Sequence, residues 1–210
     1  MIEHLANRPI VPVIEIANSR DAVPLAESLL AGGIDVIEVT FRTAAAADAI
    51  SQIKQQVPDM LVGAGTVVSQ DQIRRALEIG VDFGVAPGLN PGTIAAFQAA
   101  NTPFLPGVAT PSEIEKGLSL GCKLLKFFPA EASGGIAMLK ALSGPYASLG
   151  VQFCPTGGVN LQNLQDYLSL PTVASIGGSW IATKQDIETG DWDGIATRAS
   201  DALERARAQR

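Results

Sequence analysis

Leu124-Leu125-Lys126-Phe127-Phe128-Pro129 is an apolar run of strand length with a single charge inside it. A segment that is apolar at successive rather than alternate positions is buried on both faces, as the strands of a helix-covered parallel sheet are. Helical patterns flank the run at Pro111–Leu120 and Ile136–Leu142. The same alternation extends along the whole chain, with a spacing of about 25 residues. Strands are expected at Ile10–Ala17, Ile34–Thr40, Leu61–Thr66, Phe83–Ala86, Phe104–Gly107, Leu124–Phe128, Val151–Pro155 and Val173–Gly177. Between and after them fit helices at Asp21–Ala31, Ala44–Gln56, Gln70–Ile79, Pro91–Ala99, Pro111–Leu120, Ile136–Leu142, Leu161–Leu168 and Trp192–Arg207.

Punctuation agrees with this reading. Gly32, Gly80 and Gly121 each follow an apolar helix end, where a C-terminal cap belongs. Ser19, Ser69, Thr110 and Asn160 stand where N-caps would, and Pro91 and Pro111 fall in first turns. Eight βα units imply an α/β protein, a compact (β/α)8 TIM barrel spanning residues 1–210 as a single domain. An open doubly wound sheet is the alternative, but no G-x-G-x-x-G follows the first strand.

Composition narrows the function. Of 210 residues 47% are hydrophobic and 17% charged, which argues against disorder. A net charge of −6 weighs against nucleic-acid and membrane-surface partners, both of which need a basic face. No apolar stretch is long enough to span a bilayer. The start Met1-Ile2-Glu3-His4 carries no basic region, and Pro9 and Pro12 break the apolar run after it, so no secretory signal is expected and the cytoplasm is the default location. Cys122 and Cys154 make no disulfide framework and read as small core residues. His4 is the lone histidine and has no assigned role, so neither a zinc site nor a Ser-His-Asp triad is expected.

The chemistry then falls to strand ends. An ammonium at Lys126 costs several kcal/mol unless paired or neutral, and a buried lysine held as the free amine is a nucleophile toward carbonyls. The plainer reading is a lysine whose head snorkels to water. In Ile37-Glu38-Val39-Thr40, strand parity puts Glu38 on one face with Val36 and Thr40, pointing into the barrel as an acid/base group or as an ion-pair partner for Lys126. Arg42 and Thr66, the latter closing Gly63-Ala64-Gly65-Thr66, are equipped to hold a small carboxylate, or are a surface arginine beside a capping threonine. Thr156-Gly157-Gly158 and Gly177-Gly178-Ser179 end the seventh and eighth strands, where barrels commonly bind phosphate through backbone N–H groups. Glycine also serves tight turns, so it is the pair of loops that carries the signal. A phosphorylated keto acid fits the set.

Two longer segments, Gly33–Arg42 and Gly121–Gly134, resemble the signature motifs of the 2-keto-3-deoxy-6-phosphogluconate (KDPG) / 4-hydroxy-2-oxoglutarate (KHG) aldolase family. The resemblance extends through Ala86-Pro87-Gly88, Leu105-Pro106-Gly107, Cys154–Gly158 and Gly177–Trp180. It implies a metal-free, cofactor-free class I lyase, a homotrimer, of the Entner-Doudoroff pathway. Such an enzyme cleaves the phosphorylated 2-keto acid to pyruvate and glyceraldehyde 3-phosphate, with 4-hydroxy-2-oxoglutarate giving pyruvate and glyoxylate. By resemblance Lys126 forms the Schiff base and Glu38 moves protons. Arg42 and Thr66 bind the pyruvate carboxylate, Pro87 and Phe128 line that pocket, and Thr156, Gly157, Gly158, Gly178 and Ser179 surround the phosphate. Glu15 has no assigned task. A phosphosugar isomerase or epimerase would use Glu38 but leave Lys126 idle, and a non-catalytic metabolite-binding protein would have no use for the interior charge.

Overall fold

The computed structural model describes Leu5 and residues 8–208; His4 and the rest of the expected lead-in, Met1-Ile2-Glu3, lie outside the described residues. Every ladder in it is parallel. Strands β1 (Ile10–Ile14), β2 (Val36–Thr40), β3 (Leu61–Gly65), β4 (Phe83–Val85) and β5 (Phe104–Leu105) join β9 (Ile176–Gly178) in the order β5-β4-β3-β2-β1-β9. A second set, β6 (Gly107–Val108), β7 (Leu124–Phe127) and β8 (Gln152–Pro155), is ordered β6-β7-β8. Because β1 lies between β2 and β9, the sheet curls until the two ends of the strand series meet. Single parallel bridges, Phe153 to Val173 and Thr156 to Gly177, link the second set to the stretch that ends in β9.

The expected strand Phe104–Gly107 is found as two halves either side of Pro106. Proline has no N–H to give to a ladder, so the pairing lapses there. Its carbonyl still accepts from the Lys126 N–H at 2.9 Å, which keeps the neighbouring strand in register.

Helices α1 (Ala22–Ala31), α2 (Ala46–Gln56), α3 (Gln70–Ile79), α4 (Pro91–Ala99), α5 (Pro111–Ser119), α6 (Gly135–Tyr146), α7 (Leu164–Leu168), α8 (Lys184–Thr189) and α9 (Trp192–Arg207) cover the outside of the sheet. Ser69 and Thr110 form capping boxes with Gln72 and Glu113, and Gly80 ends α3 in the left-handed region, as those residue types predict. Three expectations shift. The N-cap expected at Ser19 falls to Asn18, whose side chain accepts from the Arg20 N–H at 3.2 Å. Gly32 caps α1 as expected, with a negative φ that leaves the positive one to Gly33 (87°), and is needed for close approach to α9. Asn160 closes a turn by accepting from the Gln162 N–H at 2.8 Å, which delays α7 to Leu164. α6 runs on to Tyr146 despite Gly144 and Pro145, past its expected end at Leu142. The short α8 was not expected, although Thr183-x-x-Asp186 forms its capping box.

One contiguous apolar core joins sheet and helices. A Cβ on Gly32 would lie 2.5 Å from both the Ala196 carbonyl oxygen and the Ala199 Cβ. Because backbone on one side and a short side chain on the other cannot swing away, Gly32→Ala is expected to force α1 and α9 apart and cost about 1–3 kcal/mol. A lowered thermal midpoint with an unchanged far-UV circular dichroism spectrum would register this; an unchanged midpoint would contradict it.

Candidate active site

Strand register brings two distant charges together. β2 sets Glu38 opposite Val13 of β1 and Gly63 of β3, while β7 sets Lys126 between Gly107 of β6 and Cys154 of β8. Both side chains turn inward, onto a cavity of about 10 Å³ that Val11, Val85, Leu105 and Cys154 also line. That is room for about one water. Lys126 Nζ donates to Glu38 Oε1 at 3.1 Å, and the two residues are only 5% and 3% exposed. The Phe128 ring centroid lies 5.4 Å from the same nitrogen, within reach of a cation–π contact.

Glycine makes room for this pair. A Cβ on Gly65 would lie 2.3 Å from Glu38 Oε1, and one on Gly63 would lie 2.1 Å from the Phe83 ring. The close approach that this glycine-rich strand allows is therefore to side chains of the chain itself. Removing two charges from water costs several kcal/mol per ion, so the mutual hydrogen bond is what makes the burial tolerable. Cys154, beside Lys126, takes no charge in this balance, since burial pushes its thiol pKa up and keeps it protonated.

Arg42 stands past the end of β2, half exposed. Its Nε donates to Thr40 Oγ1 at 3.1 Å and lies 3.4 Å from Glu15 Oε2. Glu15 thus has a partner that the sequence did not suggest. With Nε engaged, the terminal nitrogens of Arg42 make no hydrogen bond among the described residues. Thr66 has φ 58°, the left-handed region, where a β-branched residue costs roughly 1–3 kcal/mol. The bonds Phe41 N–H to Gly65 O (2.8 Å) and Val67 N–H to Val85 O (3.1 Å) pin the residues on either side of it, and the first also fixes Phe41, which precedes Arg42. Pro87 is held against Gly107, on which a Cβ would meet the Pro87 oxygen at 2.1 Å.

The two glycine loops are neighbours. The Thr156–Gly177 bridge joins them, and a Cβ on Gly177 would meet Thr156 Oγ1 at 2.2 Å. Gly157 and Gly158 have φ of 97° and 86°, open to glycine far more readily than to other residues. Gly178 has a packing reason as well, because a Cβ there would strike the Trp180 ring at 1.6 Å. Ser179 follows, exposed. The sequence reading passed over Glu131, whose side chain packs on Gly158, and Tyr167, whose hydroxyl donates to its carboxylate.

A buried lysine bonded to a carboxylate on the inner face of a parallel α/β sheet, with glycine loops on adjacent strand ends, describes a class of lysine-dependent enzymes acting on small anionic carbonyl compounds. Residues 1–198 match the family model described as KDPG and KHG aldolase, and the chain belongs to that family. It is 46% identical to the 2-dehydro-3-deoxy-phosphogluconate aldolase of Haemophilus influenzae, over 97% of this chain and 95% of that one. To the KHG/KDPG aldolase of Escherichia coli K12 it is 44% identical, over 97% of this chain and 94% of the other. Among solved structures, the KDPG aldolase from Legionella pneumophila, with pyruvate captured at low pH as a covalent carbinolamine intermediate, superposes with a TM-score of 0.90 at 45% identity, covering 93% of this chain and 94% of its own. The 2-keto-3-deoxy-6-phosphogluconate aldolase of Zymomonas mobilis ZM4, solved with 3-phosphoglycerate, gives 0.87 at 39% identity, covering 96% and 94%.

Gly65 offers a test of the geometry that leaves both ionisable groups in place. Gly65→Ala is expected to displace the Glu38 carboxylate from Lys126 and to lower kcat at least about tenfold, as misplacing a catalytic group does. Steady-state kinetics on a variant with a native circular dichroism spectrum checks this, and wild-type kcat would contradict it.

Proposed function

We propose that this protein is a class I aldolase that reversibly cleaves 2-keto-3-deoxy-6-phosphogluconate to pyruvate and glyceraldehyde 3-phosphate, with 4-hydroxy-2-oxoglutarate as a second substrate. The observation that carries this is the 3.1 Å bond between Lys126 and Glu38 in a nearly water-free interior. A proton that passes along this bond from Lys126 to Glu38 leaves a free amine, and no bulk water is needed to accept it. The amine attacks the C2 ketone to give a carbinolamine. Glu38 returns the proton to the departing hydroxyl, and water leaves a protonated imine. Glu38 then takes the proton of the C4 hydroxyl as the C3–C4 bond breaks, and the electron pair moves into the imine to form an enamine. Glyceraldehyde 3-phosphate departs, C3 is reprotonated, and water hydrolyses the imine to pyruvate and free lysine. The carbinolamine of the Legionella relative is the first intermediate of this sequence, which supports the order of steps.

Arg42 presents its outer fork to the substrate carboxylate, with the strained Thr66 beside it on the next strand end. Pro87 and Phe128 wall the pocket around the reacting carbon. Thr156, Gly157, Gly158, Gly178 and Ser179 hold the phosphate, chiefly through backbone amides, which suits a protein whose net charge is negative. The 3-phosphoglycerate carried by the Zymomonas relative supports an anionic three-carbon ligand. No metal or other cofactor enters this chemistry.

The same reading takes residues 1–210 as a single domain, a closed (β/α)8 barrel. Two observations support it: counting β5 and β6 as one strand broken at Pro106 leaves eight strands, and single bridges run from Phe153 and Thr156 to Val173 and Gly177. The homotrimer and the cytoplasmic location belong to this reading too, supported by family membership.

A coupled assay of pyruvate release tests the function. Lys126→Gln keeps a hydrogen-bond partner for Glu38 and is expected to abolish cleavage, whereas Glu38→Gln is expected to lower kcat by about 10²–10⁴-fold, as loss of a general base does. Chelators are expected to leave the wild-type rate unchanged. Cleavage by Lys126→Gln at the wild-type rate would refute the mechanism.

A further inference from the structure

The Thr156-Gly157-Gly158 loop is tied down on one side. The Thr156 carbonyl accepts from the Ala130 N–H at 2.8 Å, and the Gly157 carbonyl accepts from the Glu131 N–H at 3.0 Å. The Gly158 carbonyl accepts from Asn160 Nδ2 and Asn163 Nδ2, both at 3.2 Å. Three successive carbonyls are thus held by donors from outside the loop. Opposite them, the N–H group of Gly158 meets no acceptor among the described residues, while that of Gly157 faces the Gly177 carbonyl across the Thr156–Gly177 bridge. A glycine amide left free at such a turn is a donor for an anion.

What keeps the loop in this state is Glu131. Its side chain lies across Gly158, where a Cβ would meet Glu131 Cγ at 2.5 Å, and its backbone N–H holds Gly157. The carboxylate would swing freely but for the fully buried Tyr167, whose hydroxyl donates to Glu131 Oε1. Burial, reinforced by the carboxylate, pushes the Tyr167 phenol above its ordinary range, so it remains a donor at neutral pH.

We propose that Tyr167 and Glu131 are positioning residues for the phosphate half of the substrate: their hydrogen bond clamps the 156–158 loop so that the Gly158 amide faces the anion. This inference rests on the phosphate assignment of the proposed function, and it adds a specificity element 36 residues apart in sequence that touches no reacting atom.

The test compares a phosphorylated substrate, 2-keto-3-deoxy-6-phosphogluconate, with an unphosphorylated one, 4-hydroxy-2-oxoglutarate, and uses inorganic phosphate as a competing probe. Tyr167→Phe is expected to raise KM for the phosphorylated substrate about five- to tenfold, the scale of one ordinary hydrogen bond acting through the loop. It should weaken inhibition by phosphate in parallel, and leave kcat and the KM of the unphosphorylated substrate unchanged. Glu131→Ala, altered from the exposed side, should give the same split even if Tyr167→Phe fails to fold. Glu131→Gln retains an acceptor for the phenol and should restore the wild-type pattern. Ser179→Ala is the control for the phosphate site itself. If it selectively impairs the phosphorylated substrate while Tyr167→Phe and Glu131→Ala impair both substrates equally or neither, the clamp is refuted and the phosphate site stands. If Ser179→Ala is also unselective, the phosphate assignment falls and the clamp with it.

Discussion

A lysine and a glutamate share one hydrogen bond in an interior nearly closed to water, and the arrangement around them follows from making that bearable. Breaking such a pair by deleting one partner leaves an uncompensated buried charge worth about 3–5 kcal/mol. Stability and chemistry therefore select the same geometry. In the proposed mechanism, the bond that offsets desolvation is also the route by which the proton leaves the amine. The chain supplies the rest by subtraction: Gly65 has no side chain where the Glu38 carboxylate sits, and Gly63 has none where Phe83 packs. Cys154, the third group near the pair, is small and kept neutral by burial.

Much of this was legible in the sequence because both charges interrupt patterns. Lys126 is the one charge in a run that is otherwise apolar, and Glu38 falls on an inward position by simple alternation. The parallel α/β sheet followed from the same double-faced burial. Capping boxes at Ser69 and Thr110 set the starts of α3 and α5 to the residue, since their side chains act within one turn. Pro106 was harder to read, because a proline inside an apolar run keeps its carbonyl partner while losing its donor, and the strand splits without leaving the sheet.

The connections that sequence did not disclose are all between segments far apart along the chain. Glu15 was unexplained until Arg42 appeared beside it. Neither Glu131 nor Tyr167 has an assigned role in the sequence reading. Their hydrogen bond, and the packing of the Glu131 side chain on Gly158, are visible only once the strand ends are brought together. Glycines were ambiguous for a related reason. Gly65 and Gly178 yield space to side chains of this chain, Gly157 and Gly158 adopt positive φ, and sequence alone assigns the same letter to both uses.

Trapping asks most directly whether the buried amine is the reacting group. Wild-type protein is incubated with pyruvate and cyanoborohydride, its intact mass is measured, and the modified peptide is located by digestion. The account predicts one reduced pyruvyl group per chain, on Lys126. An unmodified protein, or an adduct on another lysine with Lys126 untouched, would contradict it.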